Sequence, residues 1–142
     1  MKTVFLSVKP KYARAILSGD KTVEVRRRFP ELDQGTTIVI YASSPERQVL
    51  GSVTLSGIER PSSVDVWDGY ADVIGIDRAS LDEYLDDATF AALLKVTSPV
   101  RWMRPIPLHE LRSATDVEPP QSFRYLSPEQ LATLSTLGAM AS

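Results

Sequence analysis

The segment GDKTVEVRRR, residues 19–28, passes from a helix stop into a strand and gathers three arginines at its end. Side chains alternate along a strand, so Lys21, Val23, Val25 and Arg27 share one face, and Thr22, Glu24, Arg26 and Arg28 share the other. Val23 and Val25 mark the core side. Lys21 then sits at the edge of that core, at the mouth of whatever lies above it. On the opposite face Glu24 falls between Thr22 and Arg26, with same-face neighbours ~7 Å apart. A carboxylate beside an arginine can hold the guanidinium as a planar fork toward phosphate or base edges. Two readings follow: a polar cleft built from Lys21, Glu24 and Arg26, or a solvated face whose ion pairs contribute ~0–1 kcal/mol.

Upstream, TVFLSV (Thr3–Val8) is β-branched and aromatic and reads as a strand rather than a signal peptide, because no small-residue cleavage site follows it. Pro10 suits the first turn of a helix, Tyr12, Ala13, Ile16 and Leu17 recur at helical spacing, and Gly19 is the stop. Lys9 and Lys11 flank the start of that helix. Cations at the positive end of a helix dipole cost up to ~1 kcal/mol each, and a bound anion reverses the sign.

Downstream, TTIVIY (Thr36–Tyr41) and VLGSVTLSGI (Val49–Ile58) are strands. Val64–Leu85 is acidic and irregular, and its last part, SLDEYLDD, reads as a helix capped by Ser80 with Glu83 at capping-box spacing. ATFAALLKV (Ala88–Val96) reads as helix running into strand near Leu94–Val96. Pro99, Pro105 and Pro107 leave room for one short strand at Val100–Met103 and a small helix after it. Ser127–Leu137 is a helix with Ser127 at the N-cap, Pro128 at N1 and Gln130 at N3, followed by a frayed tail at 138–142. A single α+β domain over 1–142 follows, a small mixed sheet curling toward a barrel.

The 142 residues contain no cysteine, which rules out disulfides and thiolate metal sites and suits a cytoplasmic, reducing compartment. His109 is the one histidine, so a zinc site would have to be built almost entirely from carboxylates; no metal and no cofactor are expected. No apolar run approaches membrane-spanning length. Net charge is −2, yet residues 1–28 carry eight Lys/Arg against two acids. Such a local basic patch attracts polyanions.

Gly19-x-Lys21-x-x-Glu24-x-Arg26 fits G-x-K-x-x-E-x-R, and on it the chain resembles the ASCH domain family. The lead-in SVKPKYARAILSG, the YASSP after the second central strand, GSVTLSGIER, PIPLHEL and PPQSFRYL carry the likeness along nearly the whole chain, in the manner of a stand-alone bacterial or phage-type member. The resemblance implies a PUA-like fold, a small mixed β-barrel with helices closing a cleft over the motif strand, and a link to RNA. It places Lys21, Glu24 and Arg26 in the cleft and Gly19 at its turn. Some small bacterial members hydrolyse the acyl amide of N4-acetylcytidine with a threonine nucleophile at the position of Glu24, and others are described as ribonucleases.

The expected function is a nucleic-acid or nucleotide-binding module, its partner RNA, a nucleoside or nucleotide, or modified DNA. Lys9, Lys11, Lys21, Arg26, Arg27 and Arg28 neutralise phosphate, and Tyr41, Ser43, Arg124 and Tyr125 add polar and stacking contacts. The alternative is a small hydrolase acting on a modified nucleoside or on RNA, with Lys21 and Glu24 as acid/base pair. A plain interaction domain with an acidic partner is the third reading. The sequence assigns no oligomeric state.

Overall fold

A computed structural model of the chain describes residues 2–138. The order is β1 (Thr3–Val8), α1 (Pro10–Ser18), β2 (Val23–Arg26), β3 (Thr37–Ala42), β4 (Gln48–Glu59), a 3-10 turn at Ser63–Asp65, α2 (Val66–Tyr70), α3 (Arg78–Tyr84), β5 (Ala92–Pro107), α4 (Leu108–Ala114), β6 (Phe123–Leu126) and α5 (Pro128–Gly138). The six strands form one mixed sheet in the order β2-β5-β4-β3-β1-β6, curled into a half-barrel. Only β1 and β3 run parallel; the other pairs are antiparallel.

The β1 strand is buried on both faces, which is why TVFLSV has so little polar alternation. Val4, Leu6 and Val8 pack with Ala13, Ile16 and Leu17 of α1, whereas Phe5 packs with Trp102, Leu111 and Leu134 on the side covered by α4 and α5. Pro10 opens α1 and Gly19 closes it in the left-handed conformation at φ 87°, its N–H donating to Ile16 O. A third cluster joins Val23 and Val25 of β2 to Val66, Ile74, Leu81 and Leu85. Residues 62–91 thus form a helical arm laid over β2, tied at its base by a bridge between Ser62 and Phe90.

Three segments depart from the sequence reading. Val66–Tyr70, expected to be irregular, forms α2. Ala88–Val96 is not helical: β5 starts at Ala92 and runs 16 residues, through the predicted short strand at Val100–Met103, to Pro107. Leu93 and Leu94 lie between β2 and β4, Ala92 pairs with Arg26 of β2, and all three are buried whichever way they point, so the alternation that marks a strand is missing. The prolines are tolerated because β2 pairs only with Ala92–Lys95 and leaves the rest of that edge open. In α3 the cap is Asp77, not Ser80; the Asp77 carboxylate accepts from the Ser80 N–H at 2.8 Å. The C-terminal box forms as read, with Gln130 N–H donating to Ser127 Oγ at 3.1 Å and Ser127 N–H to Gln130 Oε1 at 2.9 Å. Gly138 belongs to α5, packed on Trp102; the remainder of the tail expected to fray lies outside the described residues.

Candidate nucleic-acid interface

Curling brings β2, one end of the sheet, opposite β1 and β6 at the other, but no backbone ladder joins them. Side chains span the gap instead. Arg26 Nη2 donates to the Ser7 carbonyl at 2.8 Å, Arg26 Nη1 lies 3.4 Å from Ser122 Oγ, and Phe29 packs on Phe123 at a ring separation of 4.7 Å. Along this seam lies a hollow of about 720 Å³, between Ser7, Val8 and Lys9 on one bank and Glu24–Arg27 on the other. The arm closes its far side with Ile76, Ser80, Glu83 and Tyr84, and Tyr12 of α1 reaches in from the near side. This is the size and mixed lining of a small-molecule site.

Glu24 sits at the floor between two cations. Its Oε2 accepts from Arg26 Nε at 2.9 Å and Nη2 at 2.7 Å, and its Oε1 faces Lys21 Nζ at 3.4 Å. Lys21 lies deeper than the core edge where the sequence placed it: it is fully buried. Its ammonium donates to the Ile74 carbonyl and stands 5.3 Å from the Tyr12 ring centroid. The cause is the arm, whose cover over residues 21–25 left no periodic signal. Burial pulls Lys21 below the ordinary lysine value; Glu24 opposes that pull and Arg26 adds to it.

A second hollow, of about 450 Å³, opens beside the first and shares Ser7, Ser43 and Gln121 with it. Tyr41, Arg47, Arg112 and Glu118 line it. Burial raises the Tyr41 phenol above its ordinary value, and the nearby Arg47 and Arg112 charges oppose that rise. Arg112 pairs with Glu118 at 3.0 Å. Arg47 adopts φ 52°, a left-handed conformation unusual for a side-chain-bearing residue, at the end of the turn from Ser43.

Of the residues singled out in the sequence, Lys9, Glu24, Arg26, Arg27 and Ser43 line the larger hollow, and Tyr41 and Ser43 the smaller. Arg27 spends its guanidinium on the Tyr84 and Asp86 carbonyls, at 3.0 and 2.7 Å, fastening the end of α3. Lys21 lies behind the floor. Lys11 is on the exposed side of α1, and Arg28 is exposed just past β2; neither lines a hollow. Arg124 and Tyr125 stand apart on β6 opposite Phe5 and Val4, where Lys2 Nζ lies 4.5 Å from the Tyr125 ring centroid. Arg47, Tyr84 and Arg112 carry no motif; Ser7, Tyr12 and Gln121 lie in the stretches SVKPKYARAILSG and PPQSFRYL, but only the fold gathers the six. Pro119-Pro120-Gln121 adds a rigid turn leading to the seam.

A profile of the ASCH domain matches residues 6–102. An "ASCH domain-containing ribonuclease" of Zymomonas mobilis is 32% identical over 138 residues, covering 96% of this chain and 92% of that protein. The crystal structure of ASCH from Zymomonas mobilis superposes with a TM-score of 0.91 at 30% identity, over 99% of this chain and 97% of that one. Human THYN1, solved in complex with DNA containing 5-methylcytosine, shares the fold at a TM-score of 0.61 and 12% identity, with full coverage of both chains (100%). Among the described residues no helix is long and apolar enough to cross a membrane. With motif, half-barrel and profile in agreement, the chain belongs to the ASCH domain family.

Proposed function

We propose that the chain binds single-stranded RNA along the seam, with one nucleotide in the larger hollow and a phosphate in the smaller. The observation that carries this reading is that the two hollows adjoin, sharing Ser7, Ser43 and Gln121 in their walls, one presenting Tyr12 and Tyr84, the other Arg47 and Arg112. Aromatic rings offer a base a stacking surface worth ~1–3 kcal/mol, and arginines offer a phosphate a fork of donors. Contacts by Lys9, Arg47 and Arg112 would give a log-affinity slope of about −2 against log salt for a single strand. Fluorescence anisotropy of a labelled oligoribonucleotide across a salt series tests it. Binding that ignores salt, or no binding, counts against it.

A second reading, that the bound strand is also cut, is supported by the relative named as a ribonuclease and by the neutral phenol set among cations. In that reaction the ribose 2′-oxygen attacks phosphorus and the 5′-oxygen leaves, giving a 2′,3′-cyclic phosphate. Glu118 accepts the 2′-hydroxyl proton, Tyr41 donates one to the 5′-oxygen, and Arg47 and Arg112 hold the charge that builds on the phosphoryl oxygens. Cleavage of a labelled oligoribonucleotide by the wild type, lost in both Tyr41→Phe and Glu118→Gln with binding kept, is the expected result. Undiminished cleavage by Tyr41→Phe removes the assignment.

A further inference from the structure

The buried lysine of the motif has an environment that the binding reading does not use. No part of Lys21 lines either hollow. Its stem is pressed by Gly75, at which a Cβ would come within 3.2 Å of Lys21 Cβ, Cγ and Cδ, and its ammonium reaches the carbonyl of the neighbouring Ile74. Gly75 takes φ 64°, so the chain there turns over the lysine in a conformation that favours glycine. Next to this contact the N–H groups of Thr22 and Val23 both donate to the Val73 carbonyl, at 3.0 and 3.1 Å. The arm segment 73–75 is therefore stitched to residues 21–23 by three hydrogen bonds, and Lys21 supplies the charged one. The same ammonium touches Glu24, the floor of the larger hollow. One residue thus connects the floor to the arm that provides the opposite wall through Ile76, Ser80, Glu83 and Tyr84.

We infer that Lys21 is a positioning residue: it never meets the ligand, and it acts by strapping the helical arm to β2 so that Tyr84 and its neighbours form the wall of the larger hollow. The inference rests on the nucleic-acid reading for its effect on affinity, but not for its effect on the arm. A lysine meeting phosphate and a lysine strapping the arm leave different traces. Loss of a phosphate contact lowers the salt slope by ~0.7 for a single strand, whereas loss of a strap lowers affinity at unchanged slope.

The experiment compares wild type, Lys21→Met and Lys9→Met. Hydrogen exchange should quicken about tenfold or more at the Thr22, Val23 and 70–76 amides of Lys21→Met, the size expected for one charge-assisted bond, with β3 amides unmoved. Oligoribonucleotide affinity should fall by a similar factor at wild-type salt slope, while Lys9→Met shows the shallower slope. Unchanged arm exchange in Lys21→Met overturns the inference, and so does a slope reduced by ~0.7 in that variant. Amine labelling of the wild type with a water-soluble acetylating ester, read by mass spectrometry, needs no variant to fold. Lys9 and Lys11 should react and Lys21 should stay unmodified; rapid acetylation of Lys21 that RNA suppresses overturns the inference. Failure of the wild type to bind RNA would sink the binding reading alone, since exchange and labelling still decide the role of Lys21.

Discussion

Replacing Arg26 by methionine keeps most of the aliphatic stem and removes the guanidinium that crosses the seam. Four contacts go with it: Nε and Nη2 to Glu24 Oε2 at 2.9 and 2.7 Å, Nη2 to the Ser7 carbonyl at 2.8 Å, and the longer Nη1 to Ser122 Oγ at 3.4 Å. The Arg26 and Glu24 side chains are only 12% and 7% exposed, so water compensates little. Charge-assisted bonds contribute ~1.5–3 kcal/mol each, and removing one member of a buried pair costs ~3–5 kcal/mol because the other is left uncompensated. Glu24 keeps Lys21 at 3.4 Å, which puts the loss at the lower end, ~3 kcal/mol. For a chain of this length that lowers Tm by about 10 °C. Urea unfolding followed by tryptophan fluorescence, on wild type, Arg26→Met, Glu24→Gln and the double variant, gives the number and its origin. The double variant should lose about 1–2 kcal/mol less than the two single losses added together. A loss under ~1 kcal/mol for Arg26→Met, or strict additivity, would show that the guanidinium is solvated and that the seam is held by other means.

Three further outcomes follow. Absorbance titration at alkaline pH, wild type minus Tyr41→Phe, should place the Tyr41 phenol above the ordinary tyrosine value of 10.0. The folded state then holds a proton that the unfolded chain has released, so the phenol's contribution to stability fades as pH climbs past that value; ionisation at or below it contradicts the burial argument. Arg47→Gly should relieve a left-handed backbone worth ~1 kcal/mol, leaving stability equal or higher while oligoribonucleotide affinity drops, and a drop in both contradicts it. Gly51→Ala should prevent stable folding, because a Cβ there would lie 2.1 Å from the Val100 carbonyl oxygen, while Gly57→Ala, with nothing within 4 Å, should be tolerated; comparable soluble yield of the two would refute the geometry.

Local chemistry made part of the fold readable. TVFLSV, Pro10 and Gly19 fix β1, α1 and the turn into β2 through propensities that tertiary packing reinforces. The start of β5 was unreadable for the opposite reason, since Ala92–Leu94 are all buried and carry no polar side to betray a period of two. Asp77 displaced Ser80 as the cap of α3 because its carboxylate accepts from the Ser80 N–H, a pairing visible only once the turn is built. The charged half of the candidate site was legible because Glu24 and Arg26 are two residues apart on one strand, and Lys9 leads the preceding helix. The half around Tyr41 was not. Its arginines come from the turn after β3 and from α4, 65 positions apart in the chain, and nothing short of the folded sheet brings Arg47 and Arg112 together.

The unzipped edge between β2 and β1 has an evolutionary and engineering consequence. Elsewhere a substitution that shifts one strand drags its hydrogen-bonded neighbour along, so the ladders resist remodelling. Across the gap the chain is joined by side chains, Arg26 and Phe29 among them, and Ser43 and Gln121 border both chambers outside the strands. A combinatorial library confined to those two sites varies the lining of both hollows while the ladders stay intact, which makes the break in the sheet the natural place to begin redesign.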